Sequence, residues 1–218
     1  MPGLKDKHDS NSTMDKSKEK SLKNKSKIAV FMDRDGTVSK EIGYVNHPAR
    51  YELLPRTAEA IRKLNQLGIR AILTTNQAGV ARGYFKEDMI WKVHDKLEKL
   101  LEEENAYLDA IYYCPHHPDV GEGKYRQKCD CRKPEPGLLL RGEEEFDIDL
   151  NQSYMIGDKI SDVEVGQKVG AKGILVLTGY GLGAYEYERD DWNTAPDYIA
   201  EDLLDAVNWI LDDIAKEG

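Results

Sequence analysis

The sequence predicts one α/β domain: a Rossmann-like parallel sheet with helices on both faces. Two observations carry this. Short apolar runs, rich in β-branched residues and bounded by turn or polar residues, recur along the chain. Segments with helical spacing stand between them, and strands alternating with helices build βαβ units whose crossovers cover both sheet faces.

Residues 1–27 come first and differ from the rest. They hold eight lysines against four acidic residues, net +4, which leaves −13 on the remainder of a chain whose total is −9. With almost no apolar side chain they cannot offset their chain entropy, so a disordered basic tail is expected, followed by a single folded domain over 28–218. The predicted strands are Ile28–Met32, Ile69–Leu73, Ala110–Tyr113, Tyr154–Ile156 and Ile174–Leu177. The predicted helices are Thr57–Leu67 (Ala60, Ile61, Leu64 and Leu67 on one face), Glu87–Glu104 (Ile90, Val93, Leu97, Leu101) and Ile199–Ile214 (Leu203, Val207, Ile210). No apolar run reaches the length of a membrane span or signal core, which leads us to expect a cytoplasmic protein with no membrane partner. The acidic body argues against nucleic acid as a partner.

In such sheets ligands sit beyond the carboxyl ends of the strands, so the polar residues there carry the chemistry. The first strand runs into Asp33-Arg34-Asp35-Gly36-Thr37. One of two carboxylates spaced by a single residue can attack phosphorus while the other works as acid and base. Alone, this motif reads equally well as a capping turn. The later strands add Thr75 and Asn76, then Lys133 as a fixed cation, then Asp158 with Lys159 and Asp162. A hard cation held by one or two carboxylates together with substrate phosphate suits Mg²⁺.

The three cysteines fall in one stretch. Cys114-Pro115-His116 and Cys129-Asp130-Cys131 are two ligand pairs separated by a loop of twelve residues. A closed Cys3His set favours zinc in a structural role, stabilising the loop over 114–131. His117 is the alternative to His116, which the symmetry of the spacing favours. Because the loop ends at Arg132-Lys133, its metal would fix the approach of the lysine. Gly36 to Pro55 is too short for a separate cap domain.

Nucleophile, acid/base, hydroxyl, lysine and metal carboxylates in this order resemble the four motifs of the haloacid dehalogenase superfamily. The resemblance implies that Asp33 is the nucleophile and a magnesium ligand. Asp35 would be the acid/base, its backbone carbonyl also meeting the metal. Thr75 and Lys133 would hold the phosphoryl oxygens, Asp158 would complete the metal ligands, and Asp162 would support the metal's waters or Lys133. Thr74 to Gly83, the Cys-Pro-His-His-Pro run and Cys129 to Gly137 narrow the match. They look like the D-glycero-D-manno-heptose 1,7-bisphosphate 7-phosphatases, with histidinol-phosphate phosphatases as near relatives and the runner-up. A non-catalytic zinc-stabilised module is the reading from another class. The resemblance implies a small phosphorylated sugar as substrate, and a monomer is expected. The second phosphate of a bisphosphate needs its own cations, for which Arg82 and Arg132 are candidates, while Asn76 and Lys159 are read either as substrate contacts or as surface and capping residues.

Overall fold

The structure, a computed structural model, describes residues 26–217. Apart from Ser26 and Lys27, the expected basic tail lies outside the described residues. The strands are β1 (Ala29–Met32), β2 (Arg70–Asn76), β3 (Ala110–Cys114), β4 (Tyr154–Gly157), β5 (Lys172–Val176) and β6 (Tyr198–Ala200), in the spatial order β3-β2-β1-β4-β5-β6. Every pair is parallel. The helices are α1 (Thr57–Leu67), α2 (Asp88–Glu103), α3 (Gly137–Phe146), α4 (Ile160–Lys168), α5 (Gly181–Tyr187) and α6 (Leu203–Glu217).

β1 shows why both faces are covered. Successive strand side chains point to opposite faces. Val30 and Met32 accordingly join the core formed with Ile61, Leu64, Leu97 and Ile210, from α1, α2 and α6. Ala29 and Phe31 join the opposite core with Leu138, Leu139 and Val165, from α3 and α4. All four strand residues are buried, so the strand reads as a continuous apolar run.

Three expectations are corrected. The segment read as a helix over 199–214 is divided: Tyr198–Ala200 pairs with β5, and the helix begins at Leu203. Asp202 makes the break, its carboxylate accepting the Asp205 amide at 3.0 Å as a helix cap does. β2 continues through Thr74 and Thr75 to Asn76, so Thr75 lies within the strand rather than after it. Three helices, α3, α4 and α5, occupy segments in which no helix was predicted. The stretch between Gly36 and Pro55 carries one short 3₁₀ turn, Pro48–Arg50.

β1 pairs with β2 on one side and with β4 on the other, so the chain's connections diverge there. The crevice at the carboxyl ends of β1 and β4 is where such sheets bind ligands.

Candidate active site

A cleft of about 420 Å³ opens at that crevice, and Asp33, Asp35, Tyr44, Thr75, Asn76, Arg132, Lys133, Lys159, Asp162 and Tyr180 are among its lining residues. Asp33 leaves β1 with its amide bonded to the Ile156 carbonyl of β4 at 2.9 Å, which fixes its backbone across the switch point. Lys133 arrives from the loop between β3 and α3. Its Nζ donates to Asp33 Oδ1 at 2.6 Å and to the Thr74 carbonyl at 2.7 Å, and pairs with Asp162 Oδ1 at 2.7 Å. Asn76 sets the lysine's approach through a reciprocal pair with its backbone, Nδ2 to the Lys133 carbonyl and Oδ1 from the Lys133 amide.

The electrostatics follow from burial. Burial pushes Asp33 up to about 6 against the pull of Lys133, and pushes Asp158 up to about 7. Burial pulls Lys133 down, but Asp162 and Asp33 outweigh it and raise the lysine to about 12. Asp158 is gripped on one oxygen only: Oδ2 accepts the Tyr180 amide at 2.9 Å, while Oδ1 is buried with no hydrogen-bond donor. Two glycines leave room for it. A Cβ on Gly36 (φ +90) or on Gly179 (φ +57) would lie 2.0 or 2.2 Å from Asp158 Oδ2. Thr178 completes this wall by donating to the Gly36 carbonyl at 2.6 Å. The Gly- and Tyr-rich stretch after β5 thus holds Asp158 in place.

Asp33, Asp158 and Asp162 bring carboxylate oxygens within 4.8 Å of one another. Asp162 Oδ2, like Asp158 Oδ1, is buried without a hydrogen-bond donor, although Lys159 Nζ lies 4.0 Å from Asp158 Oδ1. Buried anionic oxygens left bare are costly unless a cation meets them, and an all-oxygen donor set suits a hard divalent ion. The residues therefore fit magnesium.

The second cluster is Cys114, His116, Cys129 and Cys131. Sγ–Sγ distances of 3.5 Å (Cys114–Cys129) and 3.3 Å (Cys129–Cys131) and Nδ1–Sγ distances of 3.7 and 3.4 Å from His116 draw the four donor atoms into one compact cluster. Soft thiolates with one imidazole are the donor set of structural zinc. His116 is the histidine brought into this set. His117 turns away, and its Nδ1 accepts the Asp119 and Val120 amides. Arg132 spans the two clusters, lining the cleft while donating to the His116 carbonyl at 3.1 Å.

The cleft thus collects Asp33, Asp35, Thr75, Asn76, Arg132, Lys133, Lys159 and Asp162, with Asp158 beneath. Arg82 lies in a neighbouring groove with Tyr84, Glu122 and Tyr125, its Nη2 3.2 Å from His117 Nε2. Sequence reasoning missed Gln77, whose Nε2 lies 3.0 Å from Asp35 Oδ2 and 2.9 Å from Thr75 Oγ1. It also missed Arg34, whose buried charge between two aspartates was the available signal.

Residues 130–206 match the model of the HAD-hydrolase-like family. The D-glycero-beta-D-manno-heptose-1,7-bisphosphate 7-phosphatase of Pasteurella multocida is 39% identical over 180 residues, spanning 82% of this chain and 94% of that one. The D-glycero-D-manno-heptose-1,7-bisphosphate 7-phosphatase of Thermosynechococcus vestitus is 40% identical over 195 residues, spanning 86% and 97%. Among solved structures, the D,D-heptose 1,7-bisphosphate phosphatase of B. bronchiseptica, complexed with magnesium and phosphate, superposes with a TM-score of 0.75 at 31% identity, covering 85% of this chain and 99% of that chain.

Proposed function

The chain belongs to the family of D-glycero-D-manno-heptose-1,7-bisphosphate 7-phosphatases, within the haloacid dehalogenase-like hydrolases, and from that membership we propose that it removes the 7-phosphate of the heptose bisphosphate through a phosphorylated Asp33. The observation that carries the proposal is the meeting of Asp33, Lys133, Asp158 and Asp162, with two bare buried carboxylate oxygens, at the crevice of the sheet. Magnesium, when bound to Asp33, Asp158 and the Asp35 carbonyl, supplies charge neutralisation for the transferring phosphoryl group.

The chain's own residues do the rest. An Asp33 carboxylate oxygen attacks phosphorus while the bond from phosphorus to the C7 oxygen breaks. Asp35 gives that oxygen its proton. The same carboxylate then takes a proton from water, which attacks phosphorus and releases inorganic phosphate, regenerating Asp33. Lys133 and the Thr75 hydroxyl meet the phosphoryl oxygens, and Asp162 holds Lys133 on its second side. Zinc on Cys114, His116, Cys129 and Cys131 closes the loop that delivers Arg132 and Lys133.

The second phosphate needs its own cations. Arg132 and Lys159 already line the cleft, and Arg82, which lines a separate groove beside His117, is the further candidate. Lys159 lies over the Tyr180 ring at 4.8 Å, which makes one wall part cationic and part aromatic. The test is kcat/KM for heptose 1,7-bisphosphate, fructose bisphosphate and histidinol phosphate with magnesium. The heptose should lead clearly; a lead for histidinol phosphate would move the chain to the neighbouring activity. Absence of magnesium-dependent phosphate release from all three would remove the enzyme reading.

A further inference from the structure

We propose that Thr178 is a positioning residue for the cation site: its hydroxyl locks the turn at Gly36, and with it the Asp35 carbonyl, into a rigid cradle that favours magnesium over a larger divalent ion such as calcium. This role rests on the phosphatase reading. It falls to a residue that is not among those lining the cleft.

The turn after β1 pivots on a glycine. Gly36 follows Asp35 at φ +90, a conformation a glycine adopts easily and has no side chain to steady. Two hydrogen bonds steady it instead. The Gly36 amide donates to the Ser39 carbonyl at 2.7 Å. In a trans peptide the carbonyl points opposite to the N–H, so this bond also sets the direction of the Asp35 carbonyl. The Gly36 carbonyl in turn accepts the Thr178 hydroxyl at 2.6 Å, from 142 positions away in sequence. Both peptide planes that meet at Gly36 are therefore held.

Thr178 acts together with the two residues after it. Gly179 packs so closely that a Cβ there would lie 2.2 Å from Asp158 Oδ2 and 2.6 Å from the Gly36 Cα. The Tyr180 amide donates to Asp158 Oδ2 at 2.9 Å, which leaves Oδ1 as the oxygen without a donor. Three successive residues thus bear on Gly36 and Asp158, one by a hydroxyl, one by a bare Cα and one by an amide. The hydroxyl caps nothing in its own segment, since α5 starts without a side-chain cap. It is given to the turn that carries Asp35. Magnesium demands nearly octahedral ligands at about 2.0–2.1 Å, whereas calcium accepts about six to eight ligands at about 2.3–2.6 Å in less regular arrangements. Loosening a cradle held this closely should therefore cost the smaller ion more.

Calorimetric titration of the zinc-loaded chain with magnesium alone and with calcium alone reads the two affinities without turnover. Thr178→Val keeps the shape of the side chain and removes the donor. It should weaken magnesium about 10- to 100-fold, the range for losing a partner that orients a metal ligand, and calcium by less than about 5-fold. Thr178→Ser keeps the hydroxyl and should restore the wild-type ratio of the two affinities. Should Thr178→Val fail to fold, Thr178→Ala decides by the same two titrations, with the same selective loss expected. Unchanged magnesium affinity, equal weakening of both ions, or a serine variant as poor as the valine one would overturn the proposal. Failure of the wild type to bind magnesium, or to release phosphate once it is bound, would instead overturn the phosphatase reading.

Discussion

Lys133→Met isolates the buried charge network from the chemistry it serves. In the wild type the ammonium is almost wholly enclosed, with side-chain exposure of 2%, and meets Asp33 at 2.6 Å and Asp162 at 2.7 Å. Removing it leaves two buried carboxylates without their cation, and breaking a buried pair in this way costs about 3–5 kcal/mol. For a domain of this size 1 kcal/mol moves Tm by about 2–4 °C, so the variant should melt about 6–20 °C lower. Adding Asp162→Asn removes one of the stranded charges. Residues in such direct contact couple by about 0.5–3 kcal/mol, so the double variant should melt above Lys133→Met while staying catalytically dead. Thermal unfolding at pH 7 by circular dichroism, with zinc in place and no magnesium added, and phosphate release from the same preparations once magnesium is added, check both. The reasoning is refuted if Lys133→Met melts like wild type, or if the double variant melts no higher than the single.

Other expectations follow from the same geometry. A strong chelator should lower Tm and Cys129→Ser should do likewise, because the Cys3His set gains its folding energy from the metal; metal analysis should find one zinc per chain. Asp33 and Asp158 sit at about 6 and about 7 against 3.8 in an unfolded chain, so the magnesium-free native state holds protons that the unfolded state has released. Their contribution to stability therefore falls as pH rises from about 4 to about 7. Urea midpoints should show the stabilisation by magnesium growing across that window, and a gain independent of pH would contradict the assignment. Arg132→Ala and Arg82→Ala should each cost about 10- to 150-fold in kcat/KM for the bisphosphate, the worth of one charge-assisted hydrogen bond, with Arg82→Ala sparing a simple monophosphate ester. Equal losses on both substrates would remove Arg82 from the distal phosphate.

The parts of the fold that sequence revealed are those with local signals. β1 is short and wholly apolar, and α1 has an unbroken helical period, so Thr57–Leu67 could be read to its ends. β6 was hidden because Ile199 happens to continue the spacing of the helix that follows; only the pairing of Ile174 with Tyr198 reveals a strand. α3 was hidden in a loop-like context, since its start follows Pro134-Glu135-Pro136. The site divides in the same way. Asp33, Thr75, Lys133 and Asp158 lie in motifs, whereas the link from Arg34 to His94 spans 60 positions and the Thr178–Gly36 bond spans 142. No local pattern encodes such contacts, since the return of the chain to the same crevice creates them.

The most direct test of the central claim is to follow phosphoryl label from heptose bisphosphate carrying it at C7 or at C1, using rapid quench and peptide mapping in wild type and Asp35→Asn. The C7 label should appear transiently on Asp33 in the wild type and persist there in Asp35→Asn, while the C1 label stays with the released sugar phosphate. Label on any other residue, or no covalent label with phosphate still released, would contradict the account.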